Sequence, residues 1–223
     1  MAKSSGRLLA MVRSAPTDPH QTAVLDAALD AFLDFGVRRA SMGEIAKRSK
    51  LSPATLYRRF AQKSDIVQAV GLREVQRFLT DVDRRVDHRA SAEDQLAELF
   101  VAVCGGIRRH RLLRRLIDTE PEVVLPLLTT QGGPVLDLGR DYVAEFIRRL
   151  QGDGALEDYD AEPVAEVFAR LALSMALTPR SAIPMADDET ARSFARSHLA
   201  PVCRPTAKGA AAGRKPVSRG RSA

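Results

Sequence analysis

Apolar residues recur at three- and four-residue spacing through most of the chain, the period of a helix with one buried face. Ser41, followed three residues later by Glu44, forms a capping box that opens a short helix with Ile45 and Ala46 on its inward face. Ser52, with Pro53 next to it, opens a second short helix after a tight turn. Ser64 is the expected cap of a long helix in which Ile66, Val67, Val70, Val75, Phe78, Leu79, Val82 and Val86 keep helical spacing. Its roughly 23 residues span about 35 Å, long enough to act as a lever that starts at the two short helices and ends in the later part of the chain. From Ser91 onward every periodic stretch is helical and none alternates as a strand would. Leu96 to Ile107, Leu112 to Ile117, Leu138 to Leu150 and Val164 to Met175 mark further helices, the last capped by Asp160. Pro121 and Pro126 frame an irregular turn of helix, Gln131-Gly132-Gly133-Pro134 is a break, and a final helix is expected from about Asp188 to Leu199.

The two short helices over residues 41–60 read as a helix-turn-helix, which predicts a DNA binder. Stepping 100° per residue from Pro53 puts Leu56 and Phe60 on one face of the second helix and Ala54, Thr55 and Arg58 on the opposite one. The apolar pair must pack inward, so the trio faces out. Tyr57 and Arg59 fall on the flanks, within reach of the sugar-phosphate walls, and the small Ala54 lets the helix N-terminus approach base edges. Lys50 occupies the turn, where a left-handed residue is expected. Its ammonium either meets a phosphate or is simply solvated.

Residues Val24 to about Val70 resemble the tetracycline-repressor (TetR) family of bacterial transcription regulators. The stretch Val24-Leu25-Asp26-Ala27-Ala28-Leu29-Asp30-Ala31-Phe32 is similar to that family's first helix, and Phe35-Gly36-Val37 to its glycine-terminated end. Ser41-Met42, Glu44-Ile45-Ala46, Ser52-Pro53-Ala54-Thr55-Leu56-Tyr57, Phe60 and Lys63 match in order and spacing. Two positions depart: Lys50 stands where the family usually has glycine, and Arg59 where histidine is common. The resemblance implies an all-α protein in which an N-terminal three-helix DNA-binding domain is joined by a long helix to a C-terminal helical ligand-binding and dimerisation domain. It also implies a regulator, more commonly a repressor than an activator, that binds a palindromic double-stranded DNA operator as a homodimer and responds to a small molecule. By resemblance Ser41, Thr55, Tyr57 and Lys63 hold phosphates, while Pro53 and Ala54 lie against bases. With Met42, Lys50, Ser52, Arg58 and Arg59 these are the candidate DNA contacts.

Composition sharpens this picture where it is divided along the chain. The 223 residues carry a net charge of +6. Residues 37–63 hold Arg38, Arg39, Lys47, Arg48, Lys50, Arg58, Arg59 and Lys63 against the single acid Glu44. Residues 64–203 carry 17 basic and 23 acidic side chains, and the last twenty carry six basic and none acidic. That asymmetry fits a chain with one end that meets a polyanion. The expected organisation is a flexible basic arm over 1–19, the DNA-binding domain over 20–63, the helical effector and dimerisation domain over 64–203, and a disordered basic tail over 204–223. No apolar run is long enough to span a bilayer, and the N-terminus lacks a signal-peptide core, so a cytoplasmic protein is expected. Cys104 and Cys203 fit no disulfide framework, and the four histidines share no ligand spacing. No metal or cofactor is expected.

In the helical body the resemblance implies a ligand site, for which Phe78, Phe100, Cys104, Leu116, Tyr142, Phe146 and Phe168 are candidates. Ordinary helical core is the competing reading of each. Few polar groups interrupt these faces, which favours a hydrophobic or amphiphilic effector. The resemblance also implies dimerisation through the helices at 161–177 and 188–199, where Phe168, Leu171, Met175 and Phe194 are the candidates for the seam. The cluster Arg108-Arg109-His110-Arg111 with Arg114 and Arg115 suits an anion such as a carboxylate, phosphate or coenzyme A, or else a solvated surface paired with nearby acids. Enzyme signatures are lacking: there is no nucleophile elbow, phosphate loop, dinucleotide fingerprint or zinc pair. A non-specific chromosome-packaging protein or membrane-surface binder would also use a basic head and tail, but would not need a capped and shaped recognition helix.

Overall fold

The computed structural model describes residues 5–14, 19–178 and 180–211. Among them every regular element is helical, and the one strand-like pairing is an isolated antiparallel bridge between Leu156 and Pro205. The helices are α1 Ser5–Arg13, α2 Pro19–Arg39, α3 Met42–Arg48, α4 Pro53–Arg59, α5 Lys63–Arg85, α6 Ala92–Arg109, α7 Arg111–Thr119, α8 Pro121–Leu128, α9 Gly133–Gly152, α10 Ala161–Leu177, α11 Asp188–Phe194 and α12 Ala207–Ala211. A π-helical turn, Ala195–Leu199, and a 3₁₀ turn, Ala200–Cys203, follow α11.

The start and stop signals act as their chemistry predicts, with two exceptions. The Ser41, Ser52 and Asp160 side chains accept from the N–H groups of Glu44, Thr55 and Glu162 and so cap α3, α4 and α10. The long helix, however, begins at Lys63, and it is Asp65 that reaches back to accept the Gln62 N–H at 3.1 Å, while Ser64 stays exposed. The segment over Pro121–Leu128 is a regular helix despite the internal Pro126, not an irregular turn.

Two compact units emerge, one of residues 1–82 with 106–141 and one of residues 83–105 with 142–223. The core of the first joins Val24, Ala28, Phe32, Ile45, Leu56, Phe60, Ile66 and Val70, and Leu112 of α7 enters the same cluster. The sequence expectation of a flexible arm over 1–19 fails for Ser5–Arg13. That stretch is helical and buries Leu9 and Val12, because two apolar side chains one turn apart find cover. Its remaining residues 1–4 and 15–18 lie outside the described residues.

In the second unit α10 turns Ala165, Phe168, Ala169, Ala172 and Met175 inward. Charge fastens α11, since Glu98 receives both Arg85 and Arg192, and Arg85 also reaches Asp188 at 2.8 Å. The residues Arg204–Ala211, expected as the start of a disordered tail, are instead tied to the loop after α9. Glu157 N–H donates to Arg204 O, Thr206 N–H to Ala155 O, and the Lys208 ammonium to Asp153 O at 2.6 Å. Residues 212–223, the rest of that tail, lie outside the described residues.

Candidate nucleic-acid interface

The turn between α3 and α4 is built from main-chain hydrogen bonds. Lys50 N–H donates to Lys47 O and Leu51 N–H to Ala46 O, the paired pattern that closes a helix through one left-handed residue. That residue is Lys50, with φ 57°. Leu51, the next residue, packs its side chain against the first unit's core and so ties the turn down.

Beyond the turn, α4 divides as its angular pattern predicts. Leu56 is 0% exposed and Phe60 is buried, whereas Pro53, Ala54, Tyr57, Arg58 and Arg59 are exposed and Thr55 is half-buried. Tyr57, at 53% exposure, is a large aromatic residue open to solvent. At the helix start the Ser52 and Thr55 hydroxyls share a hydrogen bond of 2.9 Å. The outward face therefore offers a small-residue edge at Pro53 and Ala54, with a phenol, two guanidiniums and an ammonium around it. Such a surface complements a groove lined with phosphates.

The cations of residues 37–63 fall into two groups. Arg48 pairs with Asp34 and Glu44, each at 2.7 Å, and lies over the Phe35 ring; the two carboxylates hold its pKa above the usual arginine value. Arg38 pairs with Glu122, and Arg39 Nε donates to Phe35 O. Lys63 donates to the carbonyls of Val37, Arg38 and Ala40 at 3.0, 2.9 and 3.1 Å. All three of its protons are engaged, so the expectation of a phosphate contact at Lys63 gives way to a structural role. Lys47, Lys50, Arg58 and Arg59 are exposed and have no ion-pair partner among the described residues. Lys47 was missing from the sequence candidates, although its place on α3 opposite Ile45 and Ala46 marks it as outward-facing. The Met42 side chain is buried in the core cluster, where it cannot meet DNA without unpacking. Ser41 stays exposed.

The ligand candidates are not one group. Phe100, Cys104, Tyr142, Phe146 and Phe168 are buried in the second unit. There the Tyr142 hydroxyl donates to Asp83 at 2.6 Å, and Arg149 stacks over Phe146. Phe78 and Leu116 belong to the first unit, Phe78 beside Gly106 and Leu116 against the head's core. The seam candidates Phe168 and Met175 are likewise consumed by their own chain's core. Leu171 is half-buried, and Phe194 stacks on His198 with ring centroids 4.6 Å apart. The outward face of α10 carries Pro163, Val167, Arg170 and Ser174, with Val167 58% exposed. The arginine corner is partly structural too. His110 caps α7 by accepting the Leu113 N–H, burial pushes its pKa down, and Arg115 donates to Asp34 O at 3.1 Å.

Comparison with known proteins identifies the family. The sequence model for bacterial regulatory proteins of the tetR family matches residues 24–70, and that for the bacterial tetracyclin repressor C-terminal domain matches residues 87–199. MftR of Mycobacterium tuberculosis, named as a mycofactocin biosynthesis transcriptional regulator, is 27% identical over 165 residues, 73% of this chain and 79% of that one. The transcriptional activator FasR of Mycolicibacterium smegmatis is 28% identical over 150 residues, 67% of each chain. Among solved structures Salmonella enterica GusR has the same fold, with a TM-score of 0.59 and 24% identity over 83% of this chain and 95% of that one.

Proposed function

This chain belongs to the TetR family of bacterial regulatory proteins and is a helix-turn-helix DNA-binding transcription regulator, a non-enzymatic class; from that premise we propose that it is a repressor, dimeric on DNA, that reads a palindromic operator with α4. The observation that carries the proposal is the division of α4 into a fully buried Leu56 and an exposed face of Pro53, Ala54, Tyr57, Arg58 and Arg59. Pro53, Ala54 and Arg58 meet base edges. Ser41, Lys47, Lys50, Ser52, Thr55, Tyr57 and Arg59 hold phosphates. One recognition helix contacts too few bases to be selective, so two copies related by a two-fold axis read two half-sites. The outward face of α10, centred on Val167, with Leu171 and the Phe194 end of α11, forms the seam between copies. Residues 20–63 are the reading domain of this organisation and the later helices its effector and dimerisation part. A hydrophobic or amphiphilic small molecule takes its place among Phe100, Cys104, Tyr142, Phe146 and Phe168. No helix among the described residues is long and apolar enough to cross a membrane, and the protein acts in the cytoplasm, where the chromosome lies. Since FasR is named an activator, activation after the same DNA recognition is the second reading.

The test is selection from a randomised duplex pool, followed by footprinting. The expected outcome is an inverted repeat with half-sites about one helical turn apart. Tyr57→Phe lowers affinity for selected and shuffled duplexes alike, whereas Arg58→Ala changes which bases are selected. A single asymmetric site bound by a monomer, or no selection at all, refutes the reading. Reporter transcription with and without the protein then separates repression from activation.

A further inference from the structure

The turn that hands α2 on to α3 is gripped from two directions. Gly36, with φ 80° and ψ 163°, breaks the helical run inside α2. Lys63 holds the carbonyls of Val37, Arg38 and Ala40. From the corner between α7 and α8, Glu120 accepts the Arg38 N–H through both carboxylate oxygens, at 3.3 and 3.2 Å. Arg115 of α7 donates from Nη2 to Asp34 O at 3.1 Å, and Glu122 of α8 takes the Arg38 guanidinium at 2.7 Å.

Asp34 and Arg38 are not arbitrary partners. In an uninterrupted helix the Arg38 N–H would donate to the Asp34 carbonyl, four residues back. At the Gly36 break the α7–α8 corner supplies each of them with a partner of opposite character, a carboxylate for the N–H and a guanidinium for the C=O. Glu120 is only 6% exposed, and a buried carboxylate is costly to leave without donors. A Cβ at Gly36 would fall on Glu120 Oε1. Glycine is therefore required there twice, once for the positive φ and once for the approach of the carboxylate.

We propose that the α7–α8 corner is a positioning site for DNA reading, in which Glu120, assisted by Arg115, sets the direction in which α3 and α4 leave α2. Glu120 meets no DNA; it acts through the backbone of Gly36 to Arg38. The inference rests on the assignment of α4 as the reading helix.

The test compares the parent with Glu120→Ala and Glu120→Asp, using the duplex that the parent selects from a randomised pool and a shuffled duplex of the same composition. Glu120→Ala is expected to lower affinity for the selected duplex by about tenfold while the shuffled duplex changes by less than about twofold, because phosphate contacts survive a small reorientation and base contacts do not. Amide exchange at Arg38 should accelerate in the same variant. Gly36→Ala should be less harmful in the Glu120→Ala background than in the parent, since the clash is removed and only the φ strain remains. Equal losses on both duplexes, or unchanged binding with an unchanged Arg38 amide, overturn the proposal. If Glu120→Ala does not fold, Glu120→Asp, which withdraws the carboxylate by one methylene, decides: a drop of about threefold in selectivity is expected, and an unchanged ratio in a folded variant overturns the idea. A parent that selects no duplex would count against the reading helix itself, whereas a selective parent with indifferent Glu120 variants counts against this corner alone.

Discussion

Arg192 places Nε and Nη2 each 2.8 Å from Oε2 of Glu98. The other oxygen of Glu98 accepts from Arg85, which also reaches Asp188 at the start of α11. The end of the chain that carries the proposed seam is thus located by a carboxylate shared between two arginines. Glu98→Ala should cost about 2 kcal/mol in urea unfolding, because it strands the Arg192 guanidinium and leaves Arg85 with Asp188 alone, while Arg192→Ala should cost about 1 kcal/mol, since its side chain is half in water. If the seam uses this end of α11, both variants also dissociate more readily on gel filtration. A larger loss from Arg192→Ala than from Glu98→Ala would contradict this hierarchy.

Lys50 sits at φ 57° with no side-chain oxygen to satisfy its own backbone. Lys50→Gly should therefore raise stability by about 1 kcal/mol. If its ammonium holds a phosphate, the same change weakens DNA binding and makes the salt slope shallower by about one unit. Stabilisation with parental binding would make Lys50 a strained surface residue and nothing more.

Lys63 and Lys47 should behave oppositely although both are basic residues near α4. Lys63→Met removes the donor to three carbonyls and should lower the stability of the DNA-binding unit by about 1–3 kcal/mol. Lys47→Met should leave the melting temperature alone and reduce the slope of log affinity against log salt by about 0.9. Thermal melts and filter binding at several salt concentrations distinguish the two roles; a parental melt for Lys63→Met would refute the capping role.

A chain ended after Cys203 loses the bonds that Arg204, Thr206 and Lys208 make to the loop after α9. It should melt several degrees lower, as a loss of about 1–2 kcal/mol implies for a domain of this size. Ending the chain after Ala211 should leave the melting temperature unchanged. Equal melts for the two truncations would show that the tether adds no stability.

Burial pushes the Cys203 thiol up to about 12 from 9.0, and its hydrogen bond with Tyr159 only partly offsets that. Burial raises the Tyr159 phenol as well. Because the unfolded thiol loses its proton first, the stabilisation is complete below pH 9.0 and is lost as pH rises from there towards about 12. Stability in urea should fall above pH 9.0 by up to about 1.4 kcal/mol per pH unit, and Cys203→Ala should flatten that decline. An identical pH profile in the variant would remove Cys203 as the cause.

The parts of this protein legible in its residues are those decided within one or two helical turns. Ser41, Ser52 and Asp160 cap helices by bonding N–H groups two or three residues on, and the buried Leu56 and Phe60 follow from the angle of a single helix. The left-handed turn at Lys50 belongs with them, since its bonds reach back no further than Ala46. Where partners lie far apart along the chain, local spacing was silent. The family resemblance makes Lys63 a phosphate ligand, but a matching motif cannot tell an exposed ammonium from one engaged by the carbonyls of Val37, Arg38 and Ala40. Met42 and Leu116 are apolar residues at helical spacing, and only the packing of α3 and α7 decided that both belong to the head's core. Phe168 and Met175 are seam candidates only because the resemblance puts dimerisation on their helix; periodicity adds that its face is apolar, not which neighbour covers it. In the sequence Glu120 reads only as one of the acids that could pair with the nearby arginine cluster, until the fold brings it 3.2 Å from the N of Arg38, 82 residues earlier. A helix and its caps are stabilised by contacts the chain makes with itself nearby, so sequence determines them. The partner of a buried charge is set by the path of the whole chain, and only the tertiary structure decides it.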